Sequence, residues 1–239
     1  MKNKTLFISD LHLDRERPEI IELFIQFLNK DAAQAEALYI LGDLFEYWIG
    51  DDQPVPGLEG CLTALQSLTE KNIPVYFIHG NRDFLIGKKF AEKTGITLLP
   101  ESVVIDLYGT PTLILHGDTL CTDDVDYQKM RLMLRDPKWQ KQFLSLPIET
   151  RIQEALKLRE KSQQAIEAKA EMIMDVNQTT VIDTMQKNNV LQLIHGHTHR
   201  PAIHDLQING AKAKRIVLGD WYEQSSVLSC SKDHIRLDT

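Results

Sequence analysis

An α/β fold built on a largely parallel sheet is what this sequence predicts, on three observations. Short apolar runs rich in β-branched and aromatic residues recur along the chain. Segments of helical period separate the first of them. Each run also closes, on its C-terminal side, in a polar cluster.

The first run is Leu6-Phe7-Ile8, short enough for a buried strand. A helix is predicted over residues 18–30, because Pro18 followed by Glu19 suits a first helical turn. Ala37-Leu38-Tyr39-Ile40-Leu41 is the next strand, residues 57–71 the next helix and Val75-Tyr76-Phe77-Ile78 the third strand. Strand, helix, strand, helix, strand describes βαβ units. Two further strands are predicted at residues 112–115 and 190–194. Beyond Leu206 the texture changes. Asn209-Gly210 is a turn signal, and Arg215-Ile216-Val217-Leu218 and Ser226-Val227-Leu228-Ser229 suggest antiparallel strands, with a turn at Lys232-Asp233.

Residues 123–187 stand apart, because helical period dominates there. Met130, Leu132, Met133 and Leu134 precede Asp136-Pro137; Trp139, Phe143, Leu144 and Leu146 follow, then a long helical pattern over residues 148–170. The expectation is one domain over residues 1–239, carrying a helical insertion at 123–187.

The 239 residues suffice for one core, and 43% hydrophobic with 26% charged is an ordinary globular composition. Cys61, Cys121 and Cys230 are odd in number and far apart, which supports neither a disulfide framework nor a thiolate metal site. The run before Ser9-Asp10 is too short for a signal-peptide core, and no stretch approaches the ~18 apolar residues of a membrane span. A cytoplasmic protein is expected. The net charge of −7 argues against general nucleic-acid binding. Charge is unevenly spread, however. Residues 129–169 hold ten Lys or Arg against five Asp or Glu, which suits either a surface for anionic partners or a solvated helical face.

The strand-end clusters carry the chemistry. They are Asp10-Leu-His12, Gly42-Asp43, His79-Gly-Asn81-Arg82-Asp83, His116-Gly-Asp118 and His195-Gly-His197-Thr-His199. Ligands of open α/β sheets bind outside the carboxyl ends of the strands. Five loops rich in Asp, Asn and His therefore converge on one place. Carboxylate, amide and imidazole without thiolate suit Mn²⁺, Fe²⁺, Co²⁺ or Zn²⁺, and imidazole disfavours Mg²⁺. Seven side chains, with one carboxylate shared, suffice for two ions.

In this order the clusters resemble the calcineurin-like metallophosphoesterases, from Asp10 to His199. The resemblance implies two packed β-sheets flanked by helices. It also implies that Asp10, His12, Asp43 and His199 hold one metal ion, while Asn81, His116 and His197 hold a second with Asp43 bridging. Asn81, Arg82 and His116 are the implied catalytic residues. His79 and His195 are expected behind the ligands or in packing, and His204 and His234 on the surface.

One departure from the family pattern bears on the substrate. Where the family has Gly-Asn-His, this chain has Gly80-Asn81-Arg82. Arginine does not lose its proton near neutral pH, so Arg82 is no general acid. It can instead hold phosphate oxygens and stabilise an anionic leaving group. That favours a pyrophosphate substrate, unless Arg82 merely pairs with Asp83.

Longer stretches, among them residues 37–52, 76–85, 116–124 and 194–201, closely resemble the branch of the superfamily that hydrolyses UDP-linked diacylated glucosamine lipids in lipid A synthesis. The implied cofactor is two Mn²⁺ ions, and the implied reaction is attack of a metal-bridged hydroxide on the alpha phosphorus. The insertion would become a lid over the acyl chains. Asn81, Arg82, His197, Asp124, Ser162 and Lys169 are implied substrate contacts, with Arg159 and Tyr127 as neighbours. Partners would be the lipid and an anionic membrane leaflet, with no nucleic acid and no obligate protein, giving a peripheral location on the cytoplasmic face of the inner membrane. Two alternatives stand beside this: a phosphodiesterase of the same fold acting on soluble nucleotides, and a metal-free binding scaffold.

Overall fold

The structure, a computed structural model, describes residues 4–167, 175–222 and 224–239, and the side chains of all of these except 159–167. The side chains of Arg159 and Ser162, and Lys169 altogether, lie outside the described residues.

Along the chain come β1 (Thr5–Ile8), α1 (Pro18–Lys30), β2 (Ala37–Ile40), α2 (Glu59–Glu70), β3 (Val75–Phe77), α3 (Lys88–Thr94) and β4 (Thr97–Leu98). Then follow β5 (Ser102–Leu107), β6 (Thr110–Leu115), α4 (Val125–Arg135), α5 (Pro137–Leu144), α6 (Ile148–Glu167) and α7 (Gln178–Lys187). β7 (Gln192–His195), β8 (Ala202–Ile208), β9 (Ala211–Val217), β10 (Val227–Cys230) and β11 (Ile235–Asp238) complete the described elements.

The strands form two sheets, ordered β11-β10-β1-β2-β3-β4 and β5-β6-β7-β9-β8. β1 to β4 run parallel, and so do β6, β7 and β9. The antiparallel members are β10 and β11 in the first sheet and β5 and β8 in the second. The turn at Asn209-Gly210 joins β8 to β9, as its sequence suggests.

The sheets stack face to face on Phe7, Leu41, Ile78, Ile114, Ile194 and Ile216, all fully buried. Continuous apolar runs in the central strands follow from this, because both faces of each strand are covered. The outer face of the first sheet packs on α1, α2 and α3. In α1, Ile20, Ile21, Phe24, Phe27 and Leu28 recur at helical spacing and are buried, and Pro18 opens the helix. The outer face of the second sheet packs on Val181 and Met185 of α7. The result is four layers: helix, sheet, sheet, helix. α7 thus belongs to the crossover between the parallel strands β6 and β7, whereas α4, α5 and α6 stand over the carboxyl ends of the strands.

Backbone pairing continues past the strand ends. The N–H groups of Asp10, His12 and Leu13 donate to the carbonyls of Gly42, Asp43 and Leu44 at 2.9–3.0 Å. In the second sheet, Gly196 N–H donates to His116 O at 2.7 Å. The polar clusters are therefore held as rigidly as the sheets that carry them.

Candidate active site and metal centre

Five residues of the polar clusters sit in left-handed backbone: Asp10 (φ 56°), His12 (φ 49°), Asp43 (φ 52°), His197 (φ 70°) and His199 (φ 54°). Each such non-glycine residue costs about 1–3 kcal/mol, and such residues concentrate where a site dictates the geometry. The positive φ turns each side chain away from the alternation of its strand and toward the gap above the sheet edges. Glycines let the loops approach. A Cβ on Gly80 would stand 2.1 Å from Asp43 Oδ1, and one on Gly196 would stand 2.3 Å from Asp10 Oδ2.

Two clusters of ligating atoms result. Asp10, His12 and His199 place one atom each within 4.8 Å of one another, and so do Asp10, Asp43 and His116. His12 Nε2 and His199 Nε2 are 3.4 Å apart. Asp43 Oδ2 lies 3.9 Å from His12 Nε2 and 3.8 Å from His116 Nε2, between the two groups. Asn81 Oδ1 is 3.0 Å from His116 Nε2. The His197 ring stands farther out, its centroid 5.0 Å from that of His116.

Each ring is oriented from behind. His116 Nδ1 donates to Leu41 O at 2.7 Å, which turns its Nε2 toward the oxygens of Asn81 and Asp43. His12 Nδ1 lies 3.1 Å from Glu46 Oε2, and His199 Nδ1 lies 3.0 Å from Asp220 Oδ2. Carboxylates placed so fix the tautomer and raise the basicity of metal-binding imidazoles. Glu46 and Asp220 went unnoticed in the sequence. The only signal was their place, three residues after Asp43 and in the Gly219-Asp220 step that follows β9.

Asp10 is fully buried, and its Oδ2 accepts from the Ser9 hydroxyl (2.5 Å) and the His197 N–H (2.9 Å). Its Oδ1 has no hydrogen-bond partner. A buried carboxylate oxygen left this way, 3.4 Å from His199 Nε2 in an oxygen and nitrogen donor set, is what a divalent cation satisfies. The residues present fit the metals that the sequence implies.

The electrostatics agree with this crowding. Burial pulls the His199 pKa down, but the carboxylates of Asp10 and Asp220 outweigh it and hold it at about 10. Burial and the neighbouring His116 depress His197 to about 4. Burial and Asp43 push Asp83 up to about 7. Asp83 is fully buried and accepts from the N–H groups of Gly80 (2.9 Å) and Leu44 (2.7 Å), which ties the β2 and β3 loops together.

Arg82 therefore does not pair with Asp83. Its Nη1 lies 3.7 Å from Glu46 Oε1, and its backbone N–H donates to Asp43 Oδ1 at 2.8 Å. The guanidinium is partly buried beside the candidate metal ligands. His79 bonds to Ile86 O, and the buried His195 bonds to Gly196 O and lies 3.2 Å from Arg215 Nη1. Both act in packing, as their sequence context suggests. Asp124 caps α4 by accepting from Tyr127 N–H at 3.1 Å, and the Tyr127 ring stands 5.8 Å from that of His197.

From Asn81 and Arg82 a cleft runs beneath the insertion. Its walls are Met130 and Leu134 of α4, Trp139 and Phe143 of α5, and Ile152 and Leu156 of α6. Part of the apolar stripe of the insertion thus lines a slot that reaches Asn81 and Arg82, whereas Leu132, Met133, Leu144 and Leu146 are exposed and stand outside it.

Comparison with known proteins places this arrangement. Residues 4–201 match the calcineurin-like phosphoesterase family. A UDP-2,3-diacylglucosamine hydrolase of Stenotrophomonas maltophilia (strain K279a) is 53% identical over 242 aligned residues, 98% of each chain. One from Yersinia pestis bv. Antiqua (strain Angola) is 52% identical over 235 residues, again 98% of each chain. The chain belongs to the calcineurin-like phosphoesterases and, within them, to the family of the UDP-2,3-diacylglucosamine hydrolases.

Proposed function

We propose that this chain hydrolyses the pyrophosphate bond of UDP-2,3-diacylglucosamine, releasing UMP and 2,3-diacylglucosamine 1-phosphate, a step of lipid A biosynthesis. The observation that carries the reading is the apolar cleft opening directly onto Asn81 and Arg82. A soluble nucleotide has no use for such a slot; two acyl chains do.

Asp10, His12, Asp43 and His199 would hold one divalent ion, and Asp43, Asn81, His116 and His197 a second, with Mn²⁺ favoured by the imidazole-rich set. When bound, the ions supply an activated water and neutralise phosphate charge. The residues of the chain do the rest. Asp43 Oδ2 stands between the two groups of ligands, and the carbonyl of Leu41 accepts from His116 Nδ1, so that the neutral ring turns Nε2 toward the metal positions. Arg82, braced by Glu46, grips phosphate oxygens and stabilises the departing sugar phosphate without giving up a proton. The direction of attack that the resemblance implies is at the alpha phosphorus, so that the sugar 1-phosphate departs. Asn81, His197 and Tyr127 face the phosphates at the mouth of the cleft. Asp124, Arg159, Ser162 and Lys169 would meet the head group.

The insertion also supports peripheral attachment at the cytoplasmic face of the inner membrane. Among the described residues no helix is long and apolar enough to cross a membrane. On α4, however, Leu132 and Val125 are 68% and 57% exposed, close in sequence to Lys129, Lys138 and Lys141. Apolar side chains beside cations suit an anionic leaflet.

The test is incubation with UDP-2,3-diacylglucosamine followed by mass spectrometry of the products. UMP and the lipid 1-phosphate are expected. Turnover of soluble nucleotide diesters at equal or higher rate, with the lipid untouched, would reject the proposal.

A further inference from the structure

Two arginines of the insertion are buried to a degree that is rare for this residue: Arg131 is 8% and Arg151 2% exposed. They stand on opposite walls of the cleft and fasten those walls to different sheets. Arg131, on α4, donates from Nε to Asp118 Oδ2 at 2.6 Å and from Nη2 to Glu101. Asp118 lies in the short turn after β6, in the second sheet, and also accepts from the Tyr127 hydroxyl at 3.3 Å.

Arg151, near the start of α6, reaches the loop that follows β2 in the first sheet. Its Nη1 donates to Ile49 O (2.6 Å) and Asp52 Oδ1 (2.8 Å), its Nη2 to Asp52 Oδ2 (2.5 Å) and its Nε to Leu146 O (3.1 Å). The receiving loop is shaped for the fork. Gly50 adopts φ 128°, and a Cβ there would stand 2.5 Å from Arg151 Nη1. Lysine could not reproduce this planar, two-pronged contact.

The cleft-lining side chains hang from these anchors. Met130 and Leu134 flank Arg131 on α4, while Ile152 and Ala155 flank Arg151 on α6. The two sheets beneath are joined by a packed apolar layer, so moving either wall breaks an ion pair of a buried arginine, with Asp118 on one side and the half-exposed Asp52 on the other.

We infer that Arg131 and Arg151 are positioning residues that fix the span between α4 and α6, and thereby the acyl-chain length the cleft accepts. The inference rests on the lipid-hydrolase reading above. The slot is preset, and chain length is measured against walls that do not yield.

The test compares the wild type with Arg131→Met and Arg151→Met on two kinds of substrate: UDP-linked diacylated glucosamines of stepped acyl length, and bis(p-nitrophenyl) phosphate, which has no acyl chain. Expected are little change with the diester, a flattened chain-length profile, and KM for the preferred lipid raised roughly tenfold with kcat nearly kept. Arg151→Lys should restore little of the profile. If Arg151→Met does not fold, as judged by its melting transition, Asp52→Ala removes the two-pronged acceptor of the same anchor and should flatten the profile likewise. An unchanged profile, or a parallel loss on every substrate, overturns the inference alone. Wild-type protein that turns over the diester but no UDP-linked lipid sinks the substrate reading, and this inference with it.

Discussion

The backbone N–H of His197 donates to Oδ2 of Asp10 at 2.9 Å, so the loop after β7 hangs from the loop after β1. One carboxylate thereby joins the two sheets and still leaves its other oxygen facing His12 and His199. Metal binding and sheet packing are thus set by the same side chain. Several consequences can be measured.

Chelation should abolish turnover, and Mn²⁺ should restore it best, since the ligands are imidazole, carboxylate and amide. Asp43→Ala should empty both metal positions, because its Oδ2 stands between His12 and His116. Elemental analysis of the purified variant checks this; near-normal metal content with normal turnover would refute the shared carboxylate.

Arg82→Ala should slow hydrolysis by ~10²–10³. Metal stoichiometry should stay intact, because a guanidinium is no ligand. Metal loss in this variant would show that Arg82 serves the centre's structure and not the chemistry.

Gly80→Ala places a Cβ 2.1 Å from Asp43 Oδ1 and must displace that carboxylate. Activity should fall by about 10²-fold or more, by the sensitivity of catalysis to ångström-scale misplacement. The melting transition should remain cooperative. Full activity would mean that Asp43 has room to shift without consequence.

Cys61, Cys121 and Cys230 are buried, and burial pushes each thiol up to about 12. A raised pKa leaves the reactive thiolate scarce below that value. Alkylation of the native protein should therefore be slow throughout about pH 7 to 9 while still rising about tenfold per pH unit, whereas the unfolded chain, with thiols near 8.5, reacts at once and begins to level off toward pH 9. A fast-reacting thiol in the folded protein, detected by intact mass, would contradict the packing.

Hydrolysis in ¹⁸O-water should label UMP and leave the lipid phosphate unlabelled. This follows from the proposed attack at the alpha phosphorus, with the lipid 1-phosphate as leaving group. Label in the lipid phosphate would reverse the direction of attack.

Much of this was legible in the residues. The central strands announced themselves through unbroken apolar runs such as Ala37-Leu38-Tyr39-Ile40, and α1 appears at its predicted bounds, Pro18–Lys30. The polar clusters marked the strand ends that converge. What escaped notice was short or weakly patterned. β5 alternates only partly buried residues, β4 has two residues, and α3 spans seven residues closed by Gly95. The split into two sheets was implied by resemblance, since periodicity does not say which strands pair. Glu46 and Asp220 were invisible for another reason. Their role depends on which imidazole nitrogen they face, and only folding decides that.

β1 carries Asp10 at its end, yet it lies inside the first sheet, between β2 and β10, with Phe7 paired to Leu228. Trp221 N–H also donates to Asp10 O at 3.2 Å. During synthesis, a strand made among the earliest must wait for one made among the last before its second edge is covered. Contacts so distant in sequence slow folding and leave an apolar edge exposed meanwhile. A chain released before Val227 would hold all seven candidate metal ligands, but it would present β1 as an open edge to any neighbour.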